Sequence, residues 1–143
     1  MNRDLFAFPA IFEPDIDEGF TIAFPDLPEA ITQGETMSQC LSEASDCLAE
    51  ALAARINNNL NIPLPSKVEE GQYLVPVPLE IAWKAQIYFL MKETKKDMET
   101  LASQLDVDRE RIRRLLDPRL KVDFQFAKIA MNVLTTDNLA SVN

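Results

Sequence analysis

The chain has no histidine, only three glycines and only two cysteines among its 143 residues. Lack of histidine removes the commonest general base, and no nucleophile stands beside another base, so no catalytic residue can be named. The sparse glycines form no phosphate-cradling loop. Cys40 and Cys47 are seven positions apart on what reads as one continuous helix. That spacing is about 10.5 Å along a helix axis, whereas a disulfide needs Cα atoms within about 7 Å. Both therefore read as small buried thiols, with a redox pair or metal ligands as the alternatives. No apolar run approaches the ~20 residues that span a bilayer. The opening MNRDLFAF lacks the basic, apolar and small-residue order of a signal peptide, so a cytoplasmic protein with no membrane contact is expected. No cofactor and no metal are expected, and the chain does not read as an enzyme.

What is present is a globular composition, 47% hydrophobic and 26% charged, with a formal charge of −9 that is unevenly spread. Residues 1–80 hold fourteen acidic and three basic side chains, a balance of −11; residues 81–143 hold nine acidic and eleven basic, a balance of +2. The acidic part repels phosphate and suits a basic partner, and the weakly basic part can hold nucleic acid.

Alternation predicts a strand over Leu5 to Glu13, with Phe6, Phe8, Ala10 and Phe12 on one face. Pro9 inside it marks an edge or a bulge. The turn Pro14 to Gly19 leads to a second strand, Phe20 to Phe24. Pro25-Asp26-Leu27-Pro28 breaks the ladder, and Ala30 to Gln33 is a short third strand. Thr36 with Gln39 is a capping-box pattern that opens the longest helix. Its buried stripe is predicted to be Met37, Leu41, Ala44, Leu48 and Leu52, with fraying at Asn57-Asn58-Asn59. Tyr73, Val75 and Val77 form a fourth strand, which Pro76 and Pro78 mark as an edge or as one that leaves the sheet quickly. This order predicts an α+β fold: a βββαβ antiparallel sheet with one helix across a face, in residues 1–78.

From Leu79 the period becomes helical, and residues 79–135 read as an all-α domain followed by a loose tail at 136–143. Leu101, Ala102 and Leu105 share one face of a short helix, and Ile112, Leu115 and Leu116 share one face of the next. Only Asp106-Val107-Asp108 separates them, with Asp108 as the N-cap. The motif usually has glycine in this turn, where φ is positive; here Asp106 stands, which tolerates that region less well. This is a helix-turn-helix pattern, in which the second helix enters the DNA major groove. That helix carries Arg109, Arg111, Arg113 and Arg114, and arginine suits both phosphate oxygens and the guanine edge. Arg109, Glu110 and Arg114 are expected near the bases, and Arg113 near the backbone. The same stretch also reads as a solvated basic hairpin. A last helix, capped by Asp123, is predicted to bury Phe124, Ala127, Ile129, Ala130 and Val133.

The run Phe20 to Pro28 (FTIAFPDLP), followed by Thr32-Gln33-Gly34-Glu35-Thr36, resembles the N-terminal domain of HicB-type antitoxins. The likeness continues through Ile62 to Ser66 and Val75 to Leu79, into a C-terminal helix-turn-helix that one HicB branch carries. Glu29-Ala30 departs from the Gly-Cys of many relatives. The resemblance implies a partner, a HicA-type toxin that is a small basic ribonuclease, whose active-site histidine and RNA-binding surface the N-terminal domain covers. It also implies that a dimer of the C-terminal domain represses the toxin–antitoxin operon by binding operator DNA. The charge split fits both roles. Asp15, Asp17, Glu18 and Asp26 are the candidate toxin-binding residues. The first three also read as a soluble turn, or as a cation site, although metal catalysis needs ligands converging from several elements. A homodimer or higher oligomer is expected, with the fourth strand as its edge. The competing readings are a DNA-binding regulator whose N-terminal domain senses another ligand or partner, and a nuclease-like enzyme.

Overall fold

A computed structural model of the chain describes residues 6–142, with side chains described through Asp137. The expected strand position Leu5 lies outside the described residues. The chain folds into two compact units. One holds residues 6–54 and 63–78, the other Arg55–Ile62 and everything from Leu79 onward.

The first unit is α+β. Strands β1 (Ala7–Pro14), β2 (Phe20–Phe24), β3 (Leu27–Gly34) and β4 (Tyr73–Pro76) form one antiparallel sheet in the order β3-β2-β1-β4, and α1 spans Met37–Asn57. Strand β1 pairs with β4 through Ala7–Ala10 and with β2 through Ile11–Pro14. Pro9 therefore lies where β1 has one ladder neighbour. Val77 donates its N–H to the Phe6 carbonyl at 3.0 Å, so by alternation Phe8 and Ala10 also face β4 and the nitrogen of Pro9 points away. Proline is tolerated there because no ladder bond is lost.

Strands β2 and β3 turn tightly, without the break expected at Pro25 to Pro28. Phe24 pairs with Leu27 across Pro25-Asp26, and a register shift at Ala23/Phe24 absorbs the irregularity, so β3 begins three residues earlier than its alternation suggests. At the other hairpin Gly19 has φ +85°, and a Cβ there would lie 2.3 Å from the Gly34 carbonyl oxygen. Both the backbone and the crowding require glycine.

Thr36 Oγ1 accepts from Gln39 N at 3.1 Å and Gln39 Oε1 accepts from Glu35 N at 2.7 Å, a reciprocal cap that starts α1 where the sequence places it. The buried stripe is Cys40, Ala44, Leu48, Ala51 and Leu52; Met37 and Leu41, expected inside, are exposed. The helix leaves the sheet so closely that a Cβ on Gly34 would meet Cys40 Sγ at 2.9 Å. This close start turns Cys40 inward and rotates Leu41 out. With Phe8, Ala10, Ile22 and Phe24 from the strands, the stripe makes a core of almost fully buried side chains.

In the second unit α1 ends cleanly instead of fraying. Asn59 takes φ +55°, and Leu60 N donates to Arg55 O at 2.9 Å. Helices α2 (Leu79–Glu93), α3 (Met98–Leu105), α4 (Arg109–Leu116) and α5 (Phe124–Val142) follow. Helix α2 is the hub, buried at every position from Ala82 to Tyr88, Lys84 and Gln86 included. Helix α5 packs along it, with Phe126, Ala127, Ala130, Met131 and Leu134 buried. Phe124 is only half-buried and Ile129 is exposed, against expectation, and α5 continues to Val142 where a loose tail was expected after Thr135. The tail's polar residues carry no helix breaker, so nothing local stops the helix at Thr135.

Candidate functional sites

Helices α3 and α4 are short, and each depends on its caps. Asp97 opens α3 by accepting from Thr100 N at 2.8 Å, a bond that holds its carboxyl below the usual carboxylate range. Asp106 closes α3 in the left-handed region (φ 55°, ψ 47°), its N–H shared between the Ala102 and Ser103 carbonyls. The aspartate thus adopts the conformation for which the motif usually has glycine. Asp108 then opens α4 by accepting from Arg111 N at 2.9 Å. Leu101, Ala102, Ile112, Leu115 and Leu116 are buried, and Leu105 is half-buried. These anchors hold α4 on α3 and α2 and fix which of its arginines face water.

The five candidate residues on α4 divide into two groups. Arg113 is half-buried and held by Glu110, with Nε to Oε2 at 2.9 Å and Nη2 to Oε1 at 2.7 Å, and by Asp117 at 3.3 Å. The same bonds lower the Glu110 carboxyl and raise the Arg113 guanidinium. Arg111 lies over the Phe126 ring, 4.1 Å from its centroid, and pairs with Asp123 at 3.3 Å. Arg109 and Arg114 are exposed, and neither forms an ion pair with another described residue. Beside Arg109 a cleft of about 730 Å³ is lined in part by Lys92, Lys95 and Lys96, with Asp97 and Glu99 also on its wall. Lys92 bonds Asn59 Oδ1 at 2.8 Å, and Lys96 is tied to Gln104 and Asp137. Lys95 is exposed, so the cationic surface at the start of α4 extends past Arg109.

Two residues that sequence reasoning passed over hold the end of α4. Lys84, 1% exposed, donates its ammonium to the carbonyls of Asp117 and Leu120. Burial pushes its pKa down, and nearby Asp117 opposes that shift. The Asp117 carboxylate is gripped by Arg119 (N to Oδ1 3.0 Å, Nη2 to Oδ2 3.0 Å) and by Arg113, which keeps it far below the usual carboxylate range. A lysine within the mostly apolar run Ile81 to Met91 is the sequence signal that could have drawn attention to this node.

The four acidic candidates do not converge. Asp15 accepts from Thr21 Oγ1 at 2.7 Å and its N–H bonds Gly19 O at 2.9 Å, so it shapes the β1–β2 turn. Asp17 and Glu18 project from the same turn and are exposed. Asp26 lies at the other end of β2, a separation of about 17 Å at ~3.4 Å per residue. Both of its oxygens are engaged by Ser66, from N at 2.8 Å and from Oγ at 2.5 Å, which pins the loop after α1 to the hairpin. Among the described residues no group of acids, cysteines or histidines is arranged to hold a metal ion. Cys40 and Cys47 are both free, and burial, with Glu50 and Glu43 nearby, raises the Cys47 thiol. No helix among the described residues is long and apolar enough to cross a membrane.

Residues 7–86 match the family described as "HicB_like antitoxin of bacterial toxin-antitoxin system". The chain is 36% identical over 112 residues to antitoxin HicB 1 of Photorhabdus laumondii, covering 78% of this chain and 71% of the relative. It is 30% identical over 110 residues to antitoxin HicB of Escherichia coli, covering 77% and 80%. It is 32% identical over 127 residues to antitoxin HicB 2 of Photorhabdus laumondii, covering 89% of each. The chain therefore belongs to the HicB-like antitoxins of bacterial toxin–antitoxin systems, whose named members are antitoxins and not enzymes.

Proposed function

We propose that this antitoxin neutralises a HicA-type mRNA interferase through its acidic N-terminal unit, and represses its own operon by sequence-specific DNA binding through α4. The setting is the cytoplasm, and the DNA-binding form is a homodimer or higher oligomer joined along the free edge of β4. One recognition helix reads few base pairs, and two of them placed about one helical turn apart give useful affinity. The observation that carries the DNA half is the pair of exposed guanidiniums of Arg109 and Arg114, without an ion pair among the described residues, on the second of two short capped helices. Support for the toxin half comes from the −11 balance of residues 1–80, which favours encounter with a cationic nuclease.

The test is co-expression with the small basic protein encoded next to the antitoxin, followed by co-purification and gel shift of the operon promoter. A toxin complex that also shifts promoter DNA is the expected result. Promoter binding with no captured toxin would favour a regulator with another partner, and capture with no shift would remove the repressor role.

A further inference from the structure

The outer face of the sheet, opposite the α1 stripe, carries an apolar band that nothing in its own unit covers completely. Pairing aligns Ile11 of β1, Ala23 of β2 and Ile31 of β3 in one row, and Leu74 of β4 lies one pair further along, opposite Pro9. Because side chains alternate along a strand, this row points away from Phe8, Ala10 and Ile22. Ile31 is 62% exposed, Leu74 53% and Ile11 40%, while Ala23 is half-buried between them. At about 5 Å per strand, Ile11 and Ile31 flank the small Ala23 side chain, while Pro9, between Ile11 and Leu74 on the same face, is buried. Exposed branched apolar side chains clustered on one sheet face are characteristic of a protein-contact site.

The strands themselves carry charge of one sign. Among the described residues none of the four strands carries lysine or arginine, and their only charges are Glu13 and Glu29. Alternation puts Glu13 on the same face as Ile11, and Asp15, Asp17 and Glu18 follow in the adjoining turn. An apolar centre supplies most of an interface's affinity, and a charged rim supplies steering and partner choice. We infer that the Ile11–Ala23–Ile31 row is the docking centre for a basic protein partner, with the acidic turn as its rim. This rests on the toxin-neutralising reading and gives that reading a surface. It also moves the weight of binding from the acids to the isoleucines.

The test uses the full-length antitoxin, the adjacent-frame basic protein and three variants: Ile31→Arg, Ile11→Arg and Leu41→Arg. Leu41 is 47% exposed on α1, so it makes the same charge change on another face. Affinity is read by calorimetry, fold by circular dichroism, and oligomeric state by light scattering. Ile31→Arg and Ile11→Arg are expected to keep parental spectra and lose more than about 30-fold in affinity, with Leu41→Arg within about threefold of the parent. Parental affinity in both isoleucine variants overturns the docking surface and leaves toxin neutralisation standing. Equal losses in all three reduce the effect to net charge and also overturn it. Conversion to a smaller oligomer with toxin affinity intact assigns the face to a second copy of this chain instead. No binding by the parent removes the toxin reading itself.

Discussion

Lys84 of α2 donates its ammonium to the backbone carbonyl of Asp117, the residue that caps the C-terminal end of α4. The last carbonyls of a helix lack partners within it and carry the negative end of its dipole. A buried cation at that point satisfies them, and a second bond to the Leu120 carbonyl at 2.5 Å holds the following loop. The arginine-bearing helix is therefore fixed to the hub helix at its end as well as through Ile112 and Leu115.

Replacing Lys84 by alanine removes the charged donor from both carbonyls, leaves that of Asp117 with only the Leu120 N–H at 3.1 Å, and opens a cavity in the helical unit. A loss of roughly 2–4 kcal/mol is expected in urea unfolding. Lys84→Met, which keeps the length without the charge, is expected to recover part of it. Unchanged urea midpoints in both variants would show that the ammonium holds nothing.

Acid should release the same node. The folded-state pKa of Asp117 is depressed by Arg119 first, so its contribution to stability is fully present above the ordinary carboxylate pKa and is lost as pH falls through the folded value. The stability gap between the parent and Asp117→Asn should be widest near neutrality and should narrow below about pH 4. A gap that widens on acidification would contradict the sign of the shift.

On α4, Arg109→Ala and Arg114→Ala should each weaken operator binding by about 1–3 kcal/mol, or lower its salt dependence if the contact is to phosphate. Both should leave thermal stability and toxin neutralisation near parental values. Arg111→Ala and Arg113→Ala remove the contact with Phe126 and the clamp on Glu110 and Asp117, so they should lower thermal stability as well. Gel shift beside thermal melts separates the two classes; a parental shift from both Arg109→Ala and Arg114→Ala rejects α4 as the reading helix.

Gly19→Ala should cost more than about 1 kcal/mol, because alanine at positive φ is strained and the added methyl meets the Gly34 carbonyl. Gly71 also has positive φ, yet has nothing within 4 Å of an added Cβ. Gly71→Ala should therefore be the milder of the two in thermal melts. The reverse order would mean that crowding at Gly34 is relieved elsewhere.

Much of the fold was readable from residue type and spacing alone. Caps are local: Thr36, Asp108 and Asp123 each bond an N–H within three residues, so a short window contains both partners. Strand faces were readable for the same reason, since alternation has only two outcomes. Helix faces were harder. Helices α1 and α5 carry apolar residues on more than one side, and period alone does not say which stripe turns inward. The choice of Cys40 over Leu41, and of Phe126 and Met131 over Phe124 and Ile129, was made by neighbouring elements.

The linear chain determined the order and type of its elements, the capped starts of its helices, its charge split and its family, because each depends on composition or on residues a few positions apart. Only the folded chain decided that Lys84 lies inside, that Arg111 and Arg113 are committed to Phe126, Glu110 and Asp117, and that Asp26 serves Ser66. Apart from the Glu110 and Asp117 contacts within one turn of Arg113, these partners come from other elements, and a charged side chain bonds whichever opposite group the packing brings within reach.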